Sequence, residues 1–115
     1  RVTNPKRGEL RLEMAGQTFN CKINMDVIMR MEVGIGKSIL KLANTLQGGD
    51  MTTADMVAFL TPVLRSSGDD LKDKDVQKLV WEAGLTGSLT AVAEVITFII
   101  TGNDNEGNEQ EAASA

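Results

Sequence analysis

Two short runs with a strict period of two, either side of Ala15-Gly16, constrain this chain more than any other feature. In GELRLEM, Leu10, Leu12 and Met14 share one face while Glu9, Arg11 and Glu13 share the other. In QTFNCKI, Phe19, Cys21 and Ile23 oppose Thr18, Asn20 and Lys22. Successive side chains of a strand point to opposite faces, so each run reads as a strand with one buried side. The short connection between them makes an antiparallel hairpin over residues 8–23. With a two-residue loop, Leu12 faces Phe19, Leu10 faces Cys21, and Glu9 faces Lys22 as a cross-strand ion pair. Ala15 fits the first loop position poorly, because the primed turns of such hairpins call for a positive φ there.

After Ile23 the apolar period lengthens to that of a helix. Asn24 caps a helix over about 25–33 with Met25, Ile28 and Met29 on its apolar side and Glu32 near its end; Gly34 and Gly36 interrupt it. A second helix, about 37–47, places Ile39, Leu42, Ala43 and Leu46 at helical spacing and stops at Gly48-Gly49. The third, about 53–67, opens on Thr52 and Asp55, the spacing of a capping box. Its stripe is Met56, Phe59, Leu60, Val63 and Leu64, and Pro62 inside it predicts a kink or a missing hydrogen bond. A fourth helix, about 73–83, carries Val76, Leu79, Val80 and Ala83 and ends at Gly84. The fifth, about 87–101, has Leu89, Val92, Ala93, Ile96, Ile99 and Ile100 on one face, which Val95 and Phe98 widen. A helix apolar nearly all round is buried centrally or covered by a partner.

The fold class is therefore α+β: an N-terminal β-hairpin followed by a compact bundle of four to five helices, in a single domain over 8–101. Residues 1–7, polar and broken by Pro5, read as a flexible arm. Residues 102–115 are acidic and poor in apolar side chains, so they read as a disordered tail.

Composition narrows the chemistry. A chain of 115 residues supports one modest core. There is no histidine and no tyrosine, and the single cysteine, Cys21, cannot form an internal disulfide. The commonest general base and the Cys/His zinc sites are therefore missing, and a reducing compartment fits. No signal peptide is expected from the first residues. The most apolar stretch, 89–100, holds Glu94 and falls short of the roughly 20 residues a membrane span needs. Residues 1–49 carry a balance of +4 and residues 50–115 one of −8. That distribution, without interleaved aromatic and basic residues, argues against nucleic acid.

Five features invite a functional reading. GIGKS at 34–38 looks like the end of a phosphate-binding loop, but the pattern requires a glycine at position 31, which is Met31, and a preceding strand. The glycines read instead as a joint between helices, and no nucleotide is expected. DDLKDKD at 69–75 lacks the central glycine of a calcium loop, so neither this nor any other metal site is expected. Cys21 lies on the hairpin's apolar face and reads as a core residue. Trp81 lies off the stripe of its helix, either flanking the core or serving as an exposed anchor for another protein. Six methionines, Met25 and Met29 among them on one helix face, suit an irregular core or an adaptable binding surface.

The order of these elements, RGELRLEMAGQTFNCKI, then MEVGIGKSILKLA, then helices closing in RSSG and WEAGL, resembles a known family. These are the small tail-assembly proteins of tailed phages and gene transfer agents, grouped with phage tail-assembly chaperones. The resemblance covers about residues 7–102. It implies a protein of the bacterial cytoplasm that holds tail tube or tape-measure protein soluble until the tail polymerises. It implies no catalytic residue and no cofactor. Within it, Glu32 has a structural role beside the Gly34 and Gly36 break. The contact residues expected from the apolar pattern are Met25, Met29, Trp81, Ile96, Ile99 and Ile100, and a homo-oligomer is a further option. The alternative is a small homodimeric prophage regulatory or adaptor module.

Overall fold

The computed structural model describes the backbone of residues 3–4 and 8–114 and the side chains of residues 8–101. The expected acidic tail, 102–115, lies outside the side chains described, and most of the expected arm, 1–7, lies outside the described residues altogether. Thr3–Asn4 are the exception. They form a short strand, β1, where a free arm was expected.

The hairpin consists of β2, Glu9–Met14, and β3, Gln17–Lys22, and the sheet order is β1-β2-β3, all antiparallel. Leu12 pairs with Phe19, Leu10 with Cys21 and Glu9 with Lys22, the register the alternation requires. Glu9 and Lys22 are paired along the backbone, but the expected ion pair between them is not among those the described residues form. The two-residue turn carries positive φ at both Ala15 (53°) and Gly16 (75°). Ala15 accepts that conformation because the apolar register on both sides of it leaves no other loop length.

Four helices follow. They are α1, Met25–Ile35; α2, Ile39–Gln47; α3, Thr53–Arg65; and α4, Asp73–Ser114. Side chains cap the first three at their amino ends: Asn24 accepts from the Val27 N–H, Ser38 from that of Lys41, and Thr52 from that of Asp55. In α3 the Asp55 carboxylate also accepts from the Thr52 N–H, completing the capping box.

One helix boundary differs from the sequence expectation and one agrees with it. Helix α1 runs through Gly34 to Ile35, so Gly34 interrupts nothing; the break lies at Gly36 alone, whose φ of 76° ends the helix. The C-terminal element α4 is two helices meeting at Gly84, which has φ 81° and ψ 163°, so the helix expected to end at that glycine does end there. Only glycine adopts that conformation readily. Across the bend the buried Ser88 hydroxyl donates to the Val80 carbonyl at 3.3 Å, satisfying a backbone group near the break.

The core lies between the inner face of the hairpin and the stripes of α3 and α4. Leu12, Cys21, Phe59, Leu60, Val76 and Val92 are all fully buried there. Met31 of α1 and Leu42 of α2 close it from the sides. Each such side chain contributes about 1.5–3 kcal/mol by leaving water. By length and composition alone, residues 73–101 of α4 are long and apolar enough to cross a membrane. Within that stretch Val76, Val80, Val92, Val95 and Ile96 are buried against the rest of the fold, whereas Trp81, Leu85 and Ile100 are exposed.

Candidate functional site

The GIGKS segment is a joint between α1 and α2, and its polar groups are already engaged. The Gly36 N–H donates to the Glu32 carbonyl at 2.7 Å. The Glu32 side chain reaches over the gap and accepts from the Ile39 N–H at 3.0 Å, while Ser38 accepts from the Lys41 N–H at 3.1 Å. A phosphate would need these first-turn amides of α2, which point at incoming negative charge. Here a resident carboxylate and a hydroxyl occupy them. Lys37 leans toward Asp55, with the charged atoms 3.9 Å apart. Glu32 thus fastens two helices together.

The acidic stretch before α4 is similarly consumed by local structure. Asp75 accepts from the Lys72 N–H at 2.8 Å, and Asp73 pairs with Arg65 at 3.5 Å. Among the described residues, no three Asp, Glu or Cys side chains converge as metal ligands would. Cys21 is buried, and that burial pushes its thiol up from an ordinary 9.0 to about 12, against a smaller opposing effect of a hydrogen bond with Ser66. At physiological pH that thiol is neutral, and the thiolate is the nucleophilic form.

A further surface feature is a trough across the outer side of α3. Its floor is made of small residues, Ala54, Val57, Ala58 and Thr61, so the floor lies low. One wall is the row Asp26, Arg30 and Gly34 on α1; the other is Asp73, Gln77 and Trp81 on α4. Residues four apart on a helix lie above one another, which is why each wall is continuous. Pro62 lacks an N–H and leaves the Ala58 carbonyl without its helical donor. Gly34 lies over that carbonyl, so α1 and α3 approach closely there.

The trough is made of two adjoining hollows that share Val57 and Gln77. The first, about 730 Å³, is lined without any charged residue, by Thr53, Ala54, Val57, Gln77, Val80, Trp81, Gly84 and Leu85. The second, about 590 Å³, carries Lys22, Arg30 and Arg65 against Asp26 and Asp73. Trp81 is 85% exposed, so the indole flanks no core and stands at the rim of the apolar hollow. Exposed Leu85 continues that rim beyond the bend at Gly84.

A family model described as "Phage tail tube protein, GTA-gp10" matches residues 7–102. The chain belongs to that family. No curated protein and no solved structure gives a significant match. The gene transfer agent family is of the tail-assembly-chaperone type, a structural and assembly family that is typically non-enzymatic.

For a member of this tail-assembly family, the outward apolar residues matter most, and the fold sorts those expected from sequence. Met25 and Met29 are exposed, and Val33 extends them into a three-residue row on the side of α1 away from buried Val27 and Met31. The isoleucine set divides. Ile96 is only 4% exposed and belongs to the core, which removes it as a contact residue in this fold; Ile99 is half-buried and Ile100 exposed. The periodicity of the helix could not separate them, because its apolar arc is wider than the core it faces. Val33, Leu40 and Leu85 were missed as exposed apolar residues. Val33 was legible as the next i+4 step after Met25 and Met29, whereas Leu85 lies just past a helix break and belonged to no stripe.

Proposed function

We propose that this chain is a non-enzymatic, chaperone-like binding protein in the tail morphogenesis of a phage or gene transfer agent. It acts in the bacterial cytoplasm and keeps tail tube or tape-measure protein soluble until the tail polymerises. The observation that carries this reading is an exposed tryptophan standing over an apolar trough, in a member of a tail-assembly family. Large exposed aromatics beside a concave apolar surface are the usual anchors of protein–protein contact. The residue chemistry agrees: without histidine or tyrosine, and with its one thiol buried, the chain is poorly equipped for acid–base or nucleophilic work. The apolar part of α4 is read as core rather than membrane span, since its inward side chains are buried in the fold.

Co-expression with the tube and tape-measure proteins encoded in the same gene cluster, followed by pull-down and by measuring their soluble fraction, tests the proposal. Co-purification with one of them and a larger soluble fraction are expected. Failure to co-purify with either, with no change in their solubility, rejects it.

A homodimeric prophage adaptor is the second reading, favoured by the row Met25, Met29 and Val33, which no other part of the described fold covers. A mass matching two chains that persists on dilution, with that row protected, would select it.

A further inference from the structure

We infer that the trough across α3 receives an amphipathic helix of the tail-protein partner, apolar at one end and acidic at the other. This rests on the proposed function and names the partner's chemistry and the surface that reads it.

The trough changes character along its length. Around Trp81, Leu85, Val57 and Ala54 it offers no charge at all. Around Lys22, Arg30 and Arg65 it holds three cations against two carboxylates. Asp26 meets only Nε of Arg30, at 3.0 Å, and Asp73 meets only one terminal nitrogen of Arg65, at 3.5 Å. Both guanidinium groups therefore keep donors for another carboxylate. Lys22 engages Ser66 through its backbone N–H, and its ammonium makes no ion pair within the described residues. A partner with carboxylates at that end and apolar side chains at the other is complementary over the whole trough.

Dimensions fit a helix. Helix α3 has 13 residues, so its outer face is about 20 Å long at roughly 1.5 Å per residue. An occupant of about 13 residues lies along it, with apolar anchors toward Trp81. Asp73 and Trp81 are two helical turns apart on one wall, which sets the partner's carboxylates about seven or eight residues from its apolar anchors. The small side chains of the floor let a second helix approach closely.

A second copy of the chain is a poorer occupant. A two-fold axis across the trough lays each apolar end on the other's cationic end, and one running along it sets the cationic ends against each other, so either arrangement places charge unfavourably.

Trp81 is the chain's only tryptophan, and there is no tyrosine. The test uses the full chain and peptides of about 20 residues tiled across the tube and tape-measure proteins of the same cluster, chosen without tryptophan. Binding is read by peptide anisotropy and by Trp81 emission, alongside pull-down of the whole partners. Variants are Trp81→Ser, Ala54→Arg and Lys22→Glu, all at exposed positions, with Met25→Ser/Met29→Ser as the control; circular dichroism checks that each folds. The expected result is a peptide with the apolar–acidic pattern that blue-shifts Trp81. It should bind at least tenfold more weakly to Trp81→Ser and Ala54→Arg, severalfold more weakly to Lys22→Glu and with rising salt, and unchanged to the control.

If the whole partner co-purifies with every trough variant and only the methionine control loses it, the trough assignment is overturned while the chaperone reading stands. Binding that ignores both salt and Lys22→Glu overturns the acidic end of the proposed helix. If Trp81 emission instead shifts with the chain's own concentration, and a two-chain mass disappears in Trp81→Ser, the occupant is a second copy. Absence of any co-purification overturns the functional reading and this inference together.

Discussion

Replacing Gly84 by alanine and, separately, Gly87 by alanine should move stability in opposite directions, though the two positions are three residues apart in one element. Gly84 has φ 81° and ψ 163°, a region essentially closed to side chains, where a non-glycine residue costs about 1–3 kcal/mol. Alanine recovers about 0.4–1 kcal/mol by restricting the unfolded chain. The net loss for Gly84→Ala is then about 1–2 kcal/mol. Gly87 is helical and exposed, and a Cβ placed there meets only the Ala83 Cβ at 3.5 Å, an ordinary contact. Gly87→Ala should gain about 1 kcal/mol from helix propensity. For a domain of this size 1 kcal/mol corresponds to roughly 4–8 °C in Tm. Thermal unfolding followed by far-ultraviolet circular dichroism should show Gly84→Ala melting about 4–16 °C lower and Gly87→Ala about 4–8 °C higher. If both variants melt higher, residue 84 is not held in the bent conformation and α4 straightens when allowed to. That result would also remove the apolar end of the trough, since Gly84 and Leu85 line it.

Three further outcomes are expected. Glu32→Ala leaves the Ile39 N–H without its acceptor and should cost about 1–2 kcal/mol in urea unfolding, while Glu32→Gln, which keeps an acceptor oxygen, should recover most of it; equal losses would show that the hydrogen bond is not what matters. Thr52→Ala removes the hydroxyl that accepts from the Asp55 N–H, leaving the other half of the capping box in place, and should lower stability by about 0.5–2 kcal/mol, checked by the same melt. The Cys21 thiol titrates at about 12 in the folded chain against 9.0 ordinarily, because burial disfavours the thiolate. Stability that depends on this group is full below pH 9 and declines between pH 9 and 12, as the unfolded chain loses its proton first; Cys21→Ala should flatten that part of the stability–pH curve, and a thiol reagent at pH 8 should modify Cys21 only after denaturant is added.

The sequence foretold some features because their signal is local. A strand's period of two leaves one register for Leu12 against Phe19, and a slip by one residue would turn every apolar side chain outward. The caps at Asn24 and Thr52 were legible for the same reason, since acceptor and amide are only three residues apart. Long-range choices were not legible. Gly34 looks like a helix breaker until Ala58 of another helix is seen beneath it, with a carbonyl freed by Pro62. Ile96 and Ile100 have equal hydropathy, and only the position of the core separates the buried one from the exposed one. The trough was invisible in the sequence because α1, α3 and α4 each contribute a row that is unremarkable alone. Trp81 was the part of it that could be seen, as a tryptophan off the apolar stripe.

The packing of the hairpin against α4 sets an order of events at the ribosome. Strands β2 and β3 are made early, yet the helix that covers much of their inner face begins about fifty residues later. Until then Leu10, Leu12, Phe19 and Cys21 have only part of their final cover. A chain that stops before α4 is therefore more than a shortened version of this protein. It would itself present the apolar surface that the finished fold buries.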